Sequence, residues 1–156
     1  MNKLIVTNSH NWTATIARIA LGITVFPHGA QKLMGWFGGY GYTGTMGFLT
    51  GQMHLPSFLA TLVILTESVG AILLILGLLT RFAALAIILN FIGVVYLVHM
   101  HNGFFMNWSM TGGKGEGYEY FILLFGLAVI SLIAGGGAAS ADAALTSRRV
   151  SSRSLR

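Results

Sequence analysis

At 156 residues, 54% hydrophobic and 8% charged, with a mean hydropathy of +0.74, the chain departs far from a water-soluble domain, in which about a quarter of the residues are charged. Its length suits one domain of four spans of about 20 residues each, and no second domain fits. With no cysteine, disulfides, thiolate metal ligands and a thiol redox step carried by this chain alone are excluded.

The first span is expected over residues 14–34. Arg18 lies inside this apolar run and no small-residue cleavage site follows it, so the segment reads as an anchor and not as a signal peptide. At about 100° per residue, Arg18, Gly22, Val25, Gly29 and Lys32 form one stripe, with His28 about 80° to its side. Pro27 cannot donate to the carbonyl of Ile23 and is expected to kink the helix beside His28. The bland alternatives are that Lys32 snorkels to the headgroups and His28 bonds locally. Residues 35–56, rich in Gly, Trp, Phe and Tyr, form the first long connection, read as a turn and a short interfacial helix.

The second span, residues 58–79, carries Glu67 near its middle, on a face shared with Ala60, Gly70, Ala71 and Leu74. Small residues permit close helix contact, so this face points inward. A carboxylate at that depth must be protonated, paired or metal-bound. Arg18 is one candidate partner for it, and Asn90 of the third span is another candidate partner for Arg18. Only Thr80 and Arg81 separate the second span from the third, residues 82–99, which forces an antiparallel hairpin. Asn90 reads as interhelical glue.

His99 and His101 stand about 200° apart on a continuous helix and cannot face one ion there. On an unbroken helix His101 shares the face of Asn90, and His99 that of Tyr96. No HExxH and no Glu-x-x-His pair occurs, so no metal site is expected. Residues 100–117 again mix Phe and Trp with Gly, and with the first connection they are expected to form one aromatic cap. Neither connection sets its glycines between a strand and a helix, as a nucleotide-binding loop requires. The fourth span, residues 118–134, opens with Glu119, which would also complement the helix dipole. From residue 140 the chain is rich in Ala, Ser and Arg, and a frayed or interfacial tail is expected.

The expected fold is thus all-α: one domain over residues 1–156, an integral membrane four-helix up-and-down bundle with an aromatic, Gly-rich cap on its extracytoplasmic side. Lys3, Arg81, Arg148, Arg149, Arg153 and Arg156 fall on one side of it, against Lys32 and Lys114 on the other. Both termini are therefore expected in the cytoplasm. The net charge of +5 is mostly this orientation signal together with a tail that can touch anionic lipid, and nucleic acid is not an expected partner. An ionisable group inside a bilayer costs roughly 2.5–3.5 kcal/mol on insertion scales. His28, Lys32, Glu67, His99, His101 and Glu119 therefore form the candidate cluster, placed in the outer half of the bundle.

The residues also carry a family resemblance. Arg18 with Ala20, Leu21 and Gly22, then PHGAQKL from Pro27, GWFGG from Gly35, GLLTRFAAL from Gly77, NGFF from Asn102, GYEY from Gly117 and ASADAAL from Ala139 together resemble the DoxX family. The resemblance implies a small four-helix protein of the cell (inner) membrane, linked to quinol oxidase and thiosulfate:quinone oxidoreductase complexes. It implies a redox accessory with quinone as the small molecule, and redox partner proteins that supply an electron carrier. His28 and His99 would then donate hydrogen bonds, Glu67 and Glu119 relay protons, Lys32 bind, and Trp36, Phe37, Phe104 and Phe105 wall the slot. A non-catalytic scaffold that binds a membrane partner, and a transporter assembled as a homo-oligomer, remain open beside it.

Overall fold

A computed structural model of the protein describes residues 7–109 and 111–154, with side chains for residues 7–109 and 112–147. All regular structure among the described residues is helical. Helix α1, Trp12–Met34, starts on Asn11, whose side-chain oxygen accepts from the Ala14 amide at 3.0 Å, and stops where Gly35 turns left-handed. It continues through Pro27 as one helix. The first connection holds a short helix α2, Gly41–Gly47, that runs into a π-turn at Phe48–Gln52. Helix α3 spans Ser57–Leu76 and α4 spans Thr80–Asn102. Then come α5, Glu119–Ala134, and α6, Ala141–Ser154.

The structure differs from the sequence reading at several points, among them the third span, which runs Thr80–Asn102 and not 82–99. The second span stops at Leu76 and not near residue 79, because Gly77 adopts φ 66° and ends the helix. In the tail, expected to be frayed or interfacial, residues Ala141–Ser154 form the helix α6, and its Asp142 is only 1% exposed.

The polar stripe of α1 is the face that meets α3. A side chain at Gly22 would collide with Ile75 and the Ala71 carbonyl, and one at Gly29 with the Glu67 backbone. The two helices therefore touch nearly backbone to backbone. Helix α1 also packs on α5, α5 on α4, and α4 back on α3. The core between them holds Leu21, Val25, Leu74, Ile87, Phe91, Phe121 and Leu124.

One end of this arrangement is closed by charged side chains on helix termini. Arg18, expected to pair with Glu67 or Asn90, pairs with neither. It donates to the carbonyls of Leu74 at 2.8 Å, Ile75 at 2.6 Å and Gly136 at 2.6 Å, and also to that of Ala139. Helix ends leave their last carbonyls without partners, and a guanidinium with five N–H groups can satisfy several of them. Arg81 likewise donates to the carbonyls of Leu132 at 2.9 Å and Ile133 at 2.6 Å, where α5 ends. Asp142 does the converse for α4, accepting from the amides of Leu79 at 2.9 Å and Thr80 at 3.0 Å. Each charge has the sign that complements the helix dipole it faces.

The outward faces are apolar. Leu62, Leu65, Ile72 and Leu76 of α3, Phe82, Leu85, Leu89 and Ile92 of α4, and Ile122, Leu123, Val129 and Ile133 of α5 are all exposed. A water-soluble monomer rarely shows apolar patches beyond a few hundred Å². Helices α3 and α4 are long and apolar enough to cross a membrane by length and composition.

Candidate functional site

Glu67 sits in a π-turn, Thr66–Gly70, midway along α3. The wider turn adds a residue to the helix and re-aims the side chains that follow, a device frequent at functional sites. The Glu67 carboxylate is nearly sealed from solvent, and both its oxygens are engaged by other helices. Oε2 accepts from Lys32 Nζ of α1 at 2.6 Å, and Oε1 accepts from Asn90 Nδ2 of α4 at 3.1 Å. A buried carboxylate is tolerable only with such partners, since leaving it unpaired costs several kcal/mol. The donor to Glu67 is Lys32 and not Arg18, and Asn90, read as interhelical glue with Arg18 as its candidate partner, makes its interhelical bond to Glu67 instead.

The network is graded outward. The side chain of Glu67 is 2% exposed and that of Lys32 is 28% exposed, so the ion pair opens to its surroundings on the lysine side. An ammonium carries three donors, and one is spent on Glu67. His28 lies one turn earlier on α1, where an i, i+4 spacing puts it on the same face. It is exposed, and among the described residues its ring makes no hydrogen bond.

His99 belongs to a different group. It too falls in a π-turn, Val95–His99, and the wider turn rotates it off the face of Tyr96, which is 65% exposed. The ring sits half-buried, with its centroid 4.6 Å from that of Phe121. Its Nδ1 donates to the Glu116 carbonyl at 2.8 Å, an assignment fixed by the carbonyl being acceptor only. Glu116, which sequence reasoning passed over, organises the second connection. Its carbonyl also accepts from Asn102 Nδ2 at 2.9 Å, and its carboxylate accepts from the Asn107 amide at 2.5 Å. Nothing in the spacing of a lone acid among glycines marks it as a hub.

The remaining candidates lie around these groups. Glu119 stands in the first turn of α5, half-buried, and its amide donates to the Phe104 carbonyl at 2.9 Å. Phe104 packs edge-on against Phe105 and Tyr118. Trp36, 53% exposed, meets Phe37 edge-on. Among the described residues no ring contact joins the two long connections, which were expected to form one aromatic cap. No hydrogen bond or ring contact there joins His28 to His99. His101, also exposed, ends α4 in a 3₁₀ turn. What links the two groups is apolar: Phe91, next to Asn90, lies 5.8 Å from Phe121, which carries His99.

Chemically, the Lys32–Glu67–Asn90 network offers a buried carboxylate with a partly exposed ammonium at its mouth. Such a pair can donate hydrogen bonds from the ammonium to an oxygen acceptor.

Comparison with known proteins adds the lineage. The DoxX family model matches residues 13–100, from the start of α1 to the end of α4, and so includes every member of the network. A protein of Bacillus subtilis (strain 168) named "Putative oxidoreductase CatD" is 32% identical over 109 residues, which is 70% of this chain and 70% of that protein. No solved structure matches. On these matches, the chain belongs to the DoxX family.

Proposed function

We propose that the protein is a multi-pass integral membrane accessory or subunit of a quinone-linked oxidoreductase complex, one acting on sulfur compounds or in oxidative stress, in the cell inner membrane. In this reading α1, α3, α4 and α5 form an up-and-down bundle with both termini in the cytoplasm and the two aromatic connections outside. The family and the oxidoreductase named in Bacillus subtilis support a membrane redox role. The apolar outward faces of α3, α4 and α5 support immersion in lipid. The arginines on the helix termini at one end support the orientation, since cytoplasmic ends carry the excess of Lys and Arg.

The observation that carries the redox reading is the Lys32–Glu67–Asn90 network. Three ionisable or amide groups from three helices meet inside an apolar chain, and one of them faces outward. A quinone headgroup needs a donor to a carbonyl and an apolar slot. Supporting the donor half of this, Lys32 has donors to spare beside the exposed His28, and Trp36, just beyond the end of α1, would help wall the slot. A bound quinone would supply two-electron chemistry, with electrons delivered by a partner protein. Lys32 and His28 would hold the carbonyl, Glu67 would hold or release the proton, and Asn90 would fix the carboxylate. His99, Glu119 and Phe104 would line the outer approach.

One observation favours a second reading, a non-catalytic scaffold. Both Glu67 oxygens are already satisfied within the protein, as suits a device that only fixes helix register. Purification in mild detergent, with extraction of bound quinone and an optical spectrum, tests the pair. The redox reading expects quinone to co-purify with the wild type and to be lost from a folded Glu67→Gln variant. A Glu67→Leu variant that is more stable and fully functional in cells would leave the scaffold.

A further inference from the structure

The arginine-rich helix α6 is the feature that the redox reading leaves unused. Its first turn is fixed to the bundle. Asp142 bonds the Leu79 and Thr80 amides, its own amide donates to the Gly77 carbonyl at 2.9 Å, and Arg18 binds the Gly136 and Ala139 carbonyls just before it. The attachment lies at the rim of the apolar surface. Leu76, Leu79, Phe82 and Ile133, at 56%, 40%, 61% and 69% exposure, surround the α3–α4 turn and the end of α5. After this first turn the helix shows more of itself outward: Ala143 is buried, whereas Ala144, Leu145 and Ser147 are exposed. Its 14 residues extend about 21 Å. In sequence this stretch carries Arg148, Arg149 and Arg153, with Arg156 following, and after Asp142 it has no acidic residue.

We propose that α6 is a surface-binding element for anionic phospholipid headgroups, held at headgroup depth by the Asp142 and Arg18 attachments. The inference rests on the membrane reading above. Running along the edge of the apolar girdle from that root, the helix would keep its basic residues within a Debye length, about 8–10 Å, of the phosphate plane. Basic residues at that distance gain about fivefold each in association with an acidic leaflet. Three arginines therefore favour the bilayer-bound arrangement of α6 by about a hundredfold, and the preference fades at high salt. The occupant is a lipid surface and not an acidic protein, because the attachment places the helix where headgroups already stand.

The test uses the full chain in nanodiscs. Because the protein has no cysteine, Ser151→Cys gives one site for an environment-sensitive label. The probes are nanodiscs of phosphatidylcholine alone and of phosphatidylcholine with 30% phosphatidylglycerol. The expected result is a label shielded from an aqueous quencher in the anionic discs, exposed in the neutral ones, and released at 1 M salt. Adding Arg148→Gln, Arg149→Gln and Arg153→Gln should abolish the difference while incorporation stays normal. Equal quenching in both discs, or a difference that survives the three substitutions, overturns the proposal. Failure to incorporate into discs at all would instead overturn the membrane reading.

Discussion

Replacing Gly29 with alanine probes how tightly the site is built into the fold. A Cβ at this position would lie 2.2 Å from the Glu67 carbonyl oxygen, 2.4 Å from its carbon and 2.5 Å from the Ser68 amide nitrogen, all backbone atoms. Ordinary contact begins at 3.4 Å, and neither helix backbone can swing aside as a side chain would. Helices α1 and α3 must therefore separate by more than about 1 Å, a strain of the size that overpacking imposes, ~1–3 kcal/mol. Lys32 lies three residues further along α1, and its 2.6 Å contact with Glu67 would stretch past hydrogen-bonding range. Weakening a buried ion pair adds to the loss, so we expect Gly29→Ala to destabilise the protein by about 2–4 kcal/mol. Reversible unfolding by SDS in mixed micelles measures it. Gly126→Ala is the control: nothing lies within 4 Å of a Cβ there, so alanine should be neutral or stabilising by up to about 1 kcal/mol. If Gly29→Ala unfolds within about 0.5 kcal/mol of wild type, the usual range for a surface change, the close approach of α1 and α3 is wrong.

Three further outcomes follow from the same contacts. Asp142→Ala should cost about 1–2 kcal/mol, the range for a lost helix cap, and speed hydrogen exchange at the Leu79 and Thr80 amides, as mass spectrometry can read. A reporter active only in the cytoplasm should light up when fused after Arg156 and stay dark when inserted near Gly51 or Gly113; the reverse pattern would invert the placement of every outer residue. In quinone affinity, His28→Gln and His99→Gln should combine as a simple sum, because their bonding partners are separate sets, whereas a coupling above about 0.5 kcal/mol would join them in one pocket.

Much of this was legible in the sequence because it is periodic. The stripe from Arg18 to Lys32 follows from the helix repeat, and it is the face that meets α3. Glu67 stood out because a carboxylate is costly in an apolar helix, and the Thr80–Arg81 separation required the hairpin. What stayed hidden was bonding to backbone. Arg18 was matched to side chains because carbonyls at helix ends leave no mark in a sequence, yet carbonyls are what it binds. Asp142 was lost within a stretch that reads as a tail, although an acid near a turn is a plain capping signal. The π-turns at Glu67 and His99 shift the helical phase by one residue, so the face given to His99 for an unbroken helix does not carry through to it.

Quinone affinity in nanodiscs bears most directly on the proposed role of the Lys32–Glu67–Asn90 network. Titration of a short-chain ubiquinone analogue into wild-type protein should saturate near one site per chain. Glu67→Gln and Lys32→Gln should each weaken it about tenfold or more, the size of a lost hydrogen bond to a charged group, with the fold intact by circular dichroism. Equal affinity in wild type and both folded variants, or no saturable binding to any of them, would contradict it.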